Sequence, residues 1–268
     1  MDQEDVLVTQ RATNNPYINA AKLIWRRIFW DINPASWTSG RRLKQWRNRY
    51  AGQRAVILCN GPSLLESDLS LLHNTFTFGL NKINLLFDKT DFRPSCVVCV
   101  NTSVVEQNAS FFSATDLPLF LTSRGLPYVA PRPNICYLHS TSHRAFSKDC
   151  SMSVYESCTV TYVALQLAFH MGFRQVALIG ADHNFHTQGP ANKWVVSGDR
   201  DDSHFDPDYF AGGMRWQLPD LFESEVGYTM ARRMFEAHDG AVYNATVGGC
   251  LEVFPRIELQ RFLHTDSK

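Results

Sequence analysis

From residue 54 onward, short apolar runs alternate with longer stretches whose apolar positions recur at helical spacing. The runs AVILC (55–59), FTFGL (76–80), CVVCV (96–100), PLFLT (118–122), QVALIG (175–180) and AVYNA (241–245) are short and largely apolar. They read as strands buried on both faces. Helices are expected directly after 55–59, near 103–113, over 155–171 and over 221–239. The segment TVTYVALQLAFHM (159–171) is rich in Ala and Leu and stops against Gly172, a natural helix end. This alternation predicts an α/β fold: a doubly wound, mostly parallel, Rossmann-like sheet flanked by helices.

Two segments break the rhythm. Residues 183–220 are polar, turn-rich and aromatic, and too long for an ordinary connection, so a lid-like or binding loop is expected there. The stretch NNPYINAAKLIWRRIFWDI near the start reads as an amphipathic helix with Ile24, Trp25, Ile28, Phe29 and Trp30 on its apolar stripe. Basic residues lie beside that stripe. It suits peripheral contact with an anionic membrane surface through residues 17–50, and equally packing on the body or in a homo-oligomer interface. The chain therefore divides into a helical N-terminal arm (1–50) and a Rossmann-like nucleotide-binding domain (51–268).

Composition adds an asymmetry to this picture. The 268 residues carry 26 Lys+Arg and 26 Asp+Glu, a net charge of zero. The first fifty hold nine basic and four acidic residues, a net of +5, leaving −5 for the remainder, and four of the six tryptophans fall there. With 44% apolar residues the chain can bury a core, which excludes disorder as its main state. No apolar run is long enough to span a bilayer, and the acidic start MDQEDVLVTQ lacks the features of a signal peptide. Together with seven cysteines, an odd count, this predicts a cytoplasmic protein with free thiols, peripheral to the inner face of the membrane if its arm docks there. Cys96 and Cys99 sit three apart on an expected strand, so they face opposite sides and read as buried structural residues. Nothing in the charge pattern suggests a nucleic-acid partner.

Candidate chemistry gathers where strands end. AVILC runs into Asn60-Gly61-Pro62-Ser63 and then an expected helix, the place where doubly wound sheets bind ligands. A plain strand-to-helix turn would look similar. FTFGL ends at Asn81, and CVVCV at Asn101, followed by Thr102 and Ser103. Three asparagines on one sheet rim could read a base and ribose through their amides, although asparagine also favours strand exits and caps. Asn244, Thr246, Gly248 and Gly249 form a further turn at a strand end, serving a ligand or simply the turn. Asp182, His183 and His186 in D-H-N-F-H match no established metal-site spacing, nor do His139 and His143, and no metal site is assigned.

NGPSL, the later LN and VNTSVVEQ resemble the nucleotide-binding half of the bacterial CMP-sialic-acid-dependent sialyltransferases. GFRQVALIGAD (172–182) is similar to their helix-strand element, and SHF (203–205) falls where they carry a catalytic histidine. The ending AVYNATVGGCLEVFPRIEL resembles the related motility accessory factor and hydroxymethylpterin diphosphokinase-like (MptE-like) proteins. The resemblances span residues 54–259. They imply an inverting transferase for a CMP-linked sugar in surface glycan synthesis, acting without a cofactor on a glycan or lipid-linked acceptor. Asn60, Gly61, Pro62, Ser63, Asn81, Asn101, Thr102, Ser103, Asp182 and Asn184 would hold the nucleotide and donor. His204 would be the general base, oriented by Asp202, with Asp201 and Asp206 as neighbours of the same type.

The sequence departs from the transferase pattern in two places. Asn184 stands where the first of two phosphate-stabilising tyrosines is expected, and Ser157 and Cys158 stand where an arginine is expected. His183, Lys193, Arg200 and Tyr209 are candidates to replace them. The diphosphokinase alternative would move pyrophosphate from ATP to a hydroxymethylpterin-like alcohol. It would use Mg²⁺ held by carboxylates such as Asp182, Asp199, Asp201 and Asp202. A third reading is a non-catalytic nucleotide-binding partner in polysaccharide assembly.

Overall fold

Residues 15–185 and 189–264 are described by a computed structural model. Helix α1 (Pro16–Asp31) starts on Asn15, whose side chain accepts from the amides of Tyr17 and Ile18. Helix α2 (Pro34–Trp46) starts in the same way on Asn33. The strands β1 (Arg54–Leu58), β2 (Phe76–Leu80) and β3 (Cys96–Cys99) follow. Then come α3 (Thr102–Gln107), α4 (Ala109–Ala114), β4 (Leu119–Thr122) and β5 (Ile135–Leu138). The short β6 (Ser140–Thr141) and β7 (Val154–Tyr155) precede α5 (Val160–His170) and β8 (Gln175–Ile179). The chain continues through β9 (Trp194–Val196), β10 (Arg215–Gln217), α6 (Leu221–Glu236), β11 (Ala241–Asn244) and α7 (Leu259–His264).

Seven strands form one parallel sheet in the order β11-β8-β1-β2-β3-β4-β5. The expected strands are all present, and the fold is α/β and Rossmann-like. Each sheet face carries its own buried cluster; Cys96 belongs to one and Cys99 to the other, as alternation along a strand requires. The edge strand β5 does not stay open. Along it lies α2, where Ser39 Oγ accepts the Tyr137 amide (3.0 Å) and Arg42 Nη1 donates to the Ile135 carbonyl (2.8 Å). Polar side chains thereby satisfy an edge that would otherwise pair with another chain.

Four expectations need correction. The helix after β1 is a 3₁₀ turn, Pro62–Glu66, because Ser67 returns to extended backbone before a second short turn begins at Leu69. The helix near 103–113 breaks into α3 and α4 at Asn108, whose Nδ2 donates to Asn84 Oδ1 (2.7 Å). The helix expected over 155–171 begins only at Val160, after β7. The segment 183–220, expected as a lid-like or binding loop, carries structure of its own. Its ends pair as the antiparallel ribbon β9–β10, and within it Asp201, Ser203, Phe205, Asp206, Tyr209 and Phe210 are buried.

Candidate functional site

The chain adds strands outward from β1 to β5, then returns to place β8 on the other side of β1. Ligand crevices in such sheets open where the strand order reverses, at the carboxyl ends of the two central strands. Here those ends are locked together: the Cys59 amide donates to the Ile179 carbonyl and the Gly61 amide to the Gly180 carbonyl, both at 2.9 Å.

Asp182 is the keystone of this junction. Its Oδ2 accepts the Ser63 amide (3.1 Å), and its carbonyl accepts the Cys250 amide (2.7 Å). A Cβ on Gly61 would lie 1.9 Å from Asp182 Oδ2, so glycine is needed there to admit the carboxylate. On the other side Gly249, at φ +73°, would put a Cβ 3.1 Å from Asp182 Cα. Thr246 Oγ1 accepts the Ala181 amide (3.0 Å), and Asn244 Oδ1 accepts the Thr246 amide (3.0 Å). The turn at 244–249 thus braces the loop after β8.

A cavity of about 1120 Å³ opens over these strand ends. Asn60, Gly61, Asn81, Asn101, Thr102, Ser103, Asp182, Asn184 and His204 all line it. Pro62 and Ser63 lie outside this lining; Ser63 is buried and works through its amide on Asp182. Asn60 is buried, and its Oδ1 finds no hydrogen-bond partner within the described residues. Asn81 holds a left-handed backbone (φ 49°) at the strand exit. The Asn101 side chain caps α3 by accepting the Ser103 amide (3.0 Å).

His204 is held by several neighbours. Its Nδ1 lies 2.7 Å from Asp201 Oδ2, and its ring stacks on Tyr209 with centroids 4.0 Å apart. Phe210 and Trp216 meet it edge-on. Burial drives the Asp201 carboxyl up, but hydrogen bonds from His204 and the Ser203 and Phe210 amides leave it below the usual carboxylate range. An ionised Asp201 holds the proton on Nδ1 and leaves Nε2 as the basic nitrogen. The carboxylate on this ring is Asp201, whereas Asp202 is exposed and outside the cavity lining. Asp206 is turned to Lys89, 2.6 Å away.

Three contributors escaped sequence reasoning. Arg124 lines the cavity beyond β4, donating to Glu156 Oε1 and Oε2 (2.7 and 3.0 Å) and to the Val100 carbonyl (3.4 Å). The N-terminus of α5 also faces the cavity through Thr159, Val160 and Thr161. Ser157 and Cys158 precede it, both in the left-handed region (φ 42° and 58°). Lys82 is buried behind the wall and donates from Nζ to the Tyr209 carbonyl (2.6 Å). Burial lowers its pKa to about 8, against the pull of Asp201. A lysine inside an apolar run, next to an asparagine at a strand end, is the signal that could have flagged it.

The remaining candidates separate clearly. His183 lines the cavity and meets Glu225 Oε1 at 2.9 Å. Tyr209 is buried under the His204 ring and still lines the cavity, while Lys193, Asp199 and Arg200 are exposed and absent from the lining. His139 packs on Trp30 and His143 is exposed, so they do not form a pair. His186 lies outside the described residues. Among the described residues, no group of three or more His, Cys, Asp or Glu side chains is arranged to hold a metal ion.

A family profile described as "6-hydroxymethylpterin diphosphokinase MptE-like" matches residues 32–188. Among solved structures the chain is similar to the MAf glycosyltransferase from Magnetospirillum magneticum AMB-1, at 13% identity and a TM-score of 0.50. That alignment covers 85% of this chain but 39% of the other, so this chain spans well under half the length of its structural relative. Comparison with curated proteins gives no match.

Proposed function

The chain belongs to the MptE-like family, and on that footing we propose that it is an inverting glycosyltransferase using a CMP-linked sugar donor. The observation that carries this reading is the His204–Asp201 pair, held at 2.7 Å on the wall of the cavity that also receives Asn60 and the start of α5. In the reaction, His204 Nε2 takes the proton of an acceptor hydroxyl as that oxygen attacks the anomeric carbon. The new C–O bond forms on the face opposite the nucleotide. The bond between the anomeric carbon and the phosphate oxygen breaks, and CMP leaves with the electron pair. Arg124 and the positive end of the α5 dipole, at Thr159–Thr161, meet the charge that develops on the departing phosphate. Asn60 and Asn81, which line the cavity at the strand ends, would lie beside the base and ribose. The acceptor is a glycan or a lipid-linked sugar, and the chemistry of these residues calls for no metal.

The structural relative's name as a glycosyltransferase agrees with this reading. The family's diphosphokinase description supports a rival, which would need carboxylates converging on Mg²⁺. Of its four candidates, Asp182 lines the cavity with one oxygen on the Ser63 amide, Asp201 is committed to His204, and Asp199 and Asp202 are exposed and outside the lining. Thermal shift with CMP, UDP, GDP and ATP, each with and without Mg²⁺, separates the two because a true ligand stabilises by mass action. Stabilisation by CMP without Mg²⁺ is expected. Stabilisation by ATP with Mg²⁺ alone would overturn the proposal in favour of the diphosphokinase, and no stabilisation by any nucleotide would overturn both.

A further inference from the structure

Helix α1 is attached to the body by a narrow face. Trp30 is buried against His139, Leu23 is half-buried, and Arg27 Nη1 donates to the Met152 carbonyl at 2.6 Å. The opposite face is turned to solvent, with only Phe29, at its edge, also reaching the cavity rim. There Ile18, Ile24, Trp25, Ile28, Phe29 and Ile32 are each between 43% and 63% exposed. At 3.6 residues per turn these six fall within an arc of about 140°. They make one continuous apolar stripe, broader than the scattered apolar residues of an ordinary surface. Trp25 and Phe29 touch along it, ring centroids 5.8 Å apart.

The flank of the stripe decides what covers it. Lys22 and Arg26 are exposed beside it, and the helix's one acid, Asp31, is already paired with Arg27 at 2.8 Å. Trp37, also exposed, is tied to the end of α1 through Nε1 and the Asp31 carbonyl (2.6 Å). Near it a shallow groove carries Arg41 and Lys44 beside Met152. Two copies of such a face brought together would set like charges against each other. An anionic lipid surface supplies both an apolar layer for the stripe and phosphates for its flank. Among the described residues no helix is long and apolar enough to cross a membrane, so attachment by α1 would be in the plane of the interface.

We propose that α1 docks the protein on an anionic phospholipid surface, with its apolar stripe in the interface. Arg26 and Phe29 also line the cavity, so docking brings the cavity mouth to the headgroup layer. This inference stands apart from the assigned reaction, since it is read by lipid binding alone.

The test is vesicle flotation of the full chain with phosphatidylcholine alone or mixed with phosphatidylglycerol. Co-flotation is expected with the mixed vesicles at low salt, weakening as salt rises. Trp25→Glu and Ile28→Glu should each weaken binding about tenfold or more. Lys22→Glu should weaken it on mixed vesicles, and all three variants should keep the parent melting temperature. Absence of binding to mixed vesicles, binding indifferent to lipid charge, or full binding by Trp25→Glu would each overturn the proposal. Sedimentation velocity on the same samples exposes the rival: self-association that Trp25→Glu abolishes, without vesicle binding, assigns the face to a second copy.

Discussion

His204 and Tyr209 lie flat against each other, ring centroids 4.0 Å apart and planes within 1° of parallel. The stack sets the plane of the imidazole, and Asp201 sets its rotation within that plane. His204→Ala should leave CMP-induced stabilisation intact and lower turnover by roughly 10²–10⁴-fold. Asp201→Asn should lower turnover through the wrong tautomer, and Tyr209→Leu through a loosened ring, whereas Tyr209→Phe should stay near the parent. Steady-state kinetics on these four variants check the assignment; unchanged turnover in His204→Ala would remove the base.

Gly61→Ala forces a methyl group to within 1.9 Å of Asp182 Oδ2. The carboxylate must move, releasing the Ser63 amide, and a loss of about 1–3 kcal/mol in unfolding free energy is expected. Adding Asp182→Ala to Gly61→Ala should cost less than the two losses summed, because the pair is in direct contact. Urea denaturation of the single and double variants measures this. Strict additivity would show that the glycine is needed for another reason.

Arg124 is more than half exposed toward the cavity, so its pairing with Glu156 contributes little to folding. Arg124→Ala should therefore change the melting temperature slightly and weaken CMP binding about tenfold. Arg124→Lys should recover only part of the affinity, since a point charge does not reproduce a planar fork. Titration calorimetry distinguishes these results from loss through misfolding.

Alkali should unfold the protein steeply. Burial pushes the thiols of Cys59 and Cys136 up to about 12, and it also raises Cys96, Cys99 and Cys150. In the unfolded chain these thiols ionise near about 8.5, so the stability they confer is whole below that pH. Above it, each costs about 1.4 kcal/mol per pH unit. Lys82, lowered to about 8, acts in the opposite sense, adding stability as pH rises from there to its unfolded value of about 10.4. Five groups outweigh one. Denaturation midpoints measured between about pH 7 and pH 10 should fall sharply at the alkaline end. Cys96→Val should flatten the fall and Lys82→Met should steepen it.

The sheet was readable because its strands are continuous apolar runs, and β5 was missed because ICYL is only four residues between Asn134 and His139. Helix α2 was not separately visible, since the residues it buries, Ala35, Ser39 and Leu43, include only one large apolar side chain. The asparagines and His204 were legible because strand ends and a known motif located them. Arg124 was not, because a lone arginine after a strand carries no local pattern and is set in the cavity wall by its pairing with Glu156. Asp201 was one of several adjacent acids, and only the turn at Ser203 chose among them; its Oδ1 accepts the Ser203 amide at 2.8 Å.

The base proposed above, His204, sits in a stretch of chain tied down at several points. The Phe205 amide is bound to the Asn60 carbonyl (2.9 Å), Asp206 to Lys89, and the Tyr209 carbonyl to Lys82. The β9–β10 ribbon is more lightly held: Trp194 and Arg215 line the cavity while remaining exposed, and Gln107 Nε2 donates to the Arg215 carbonyl at 3.3 Å. One insertion thus supplies two different walls: a tethered inner turn that would hold the proposed base, and an exposed outer ribbon at the cavity's edge.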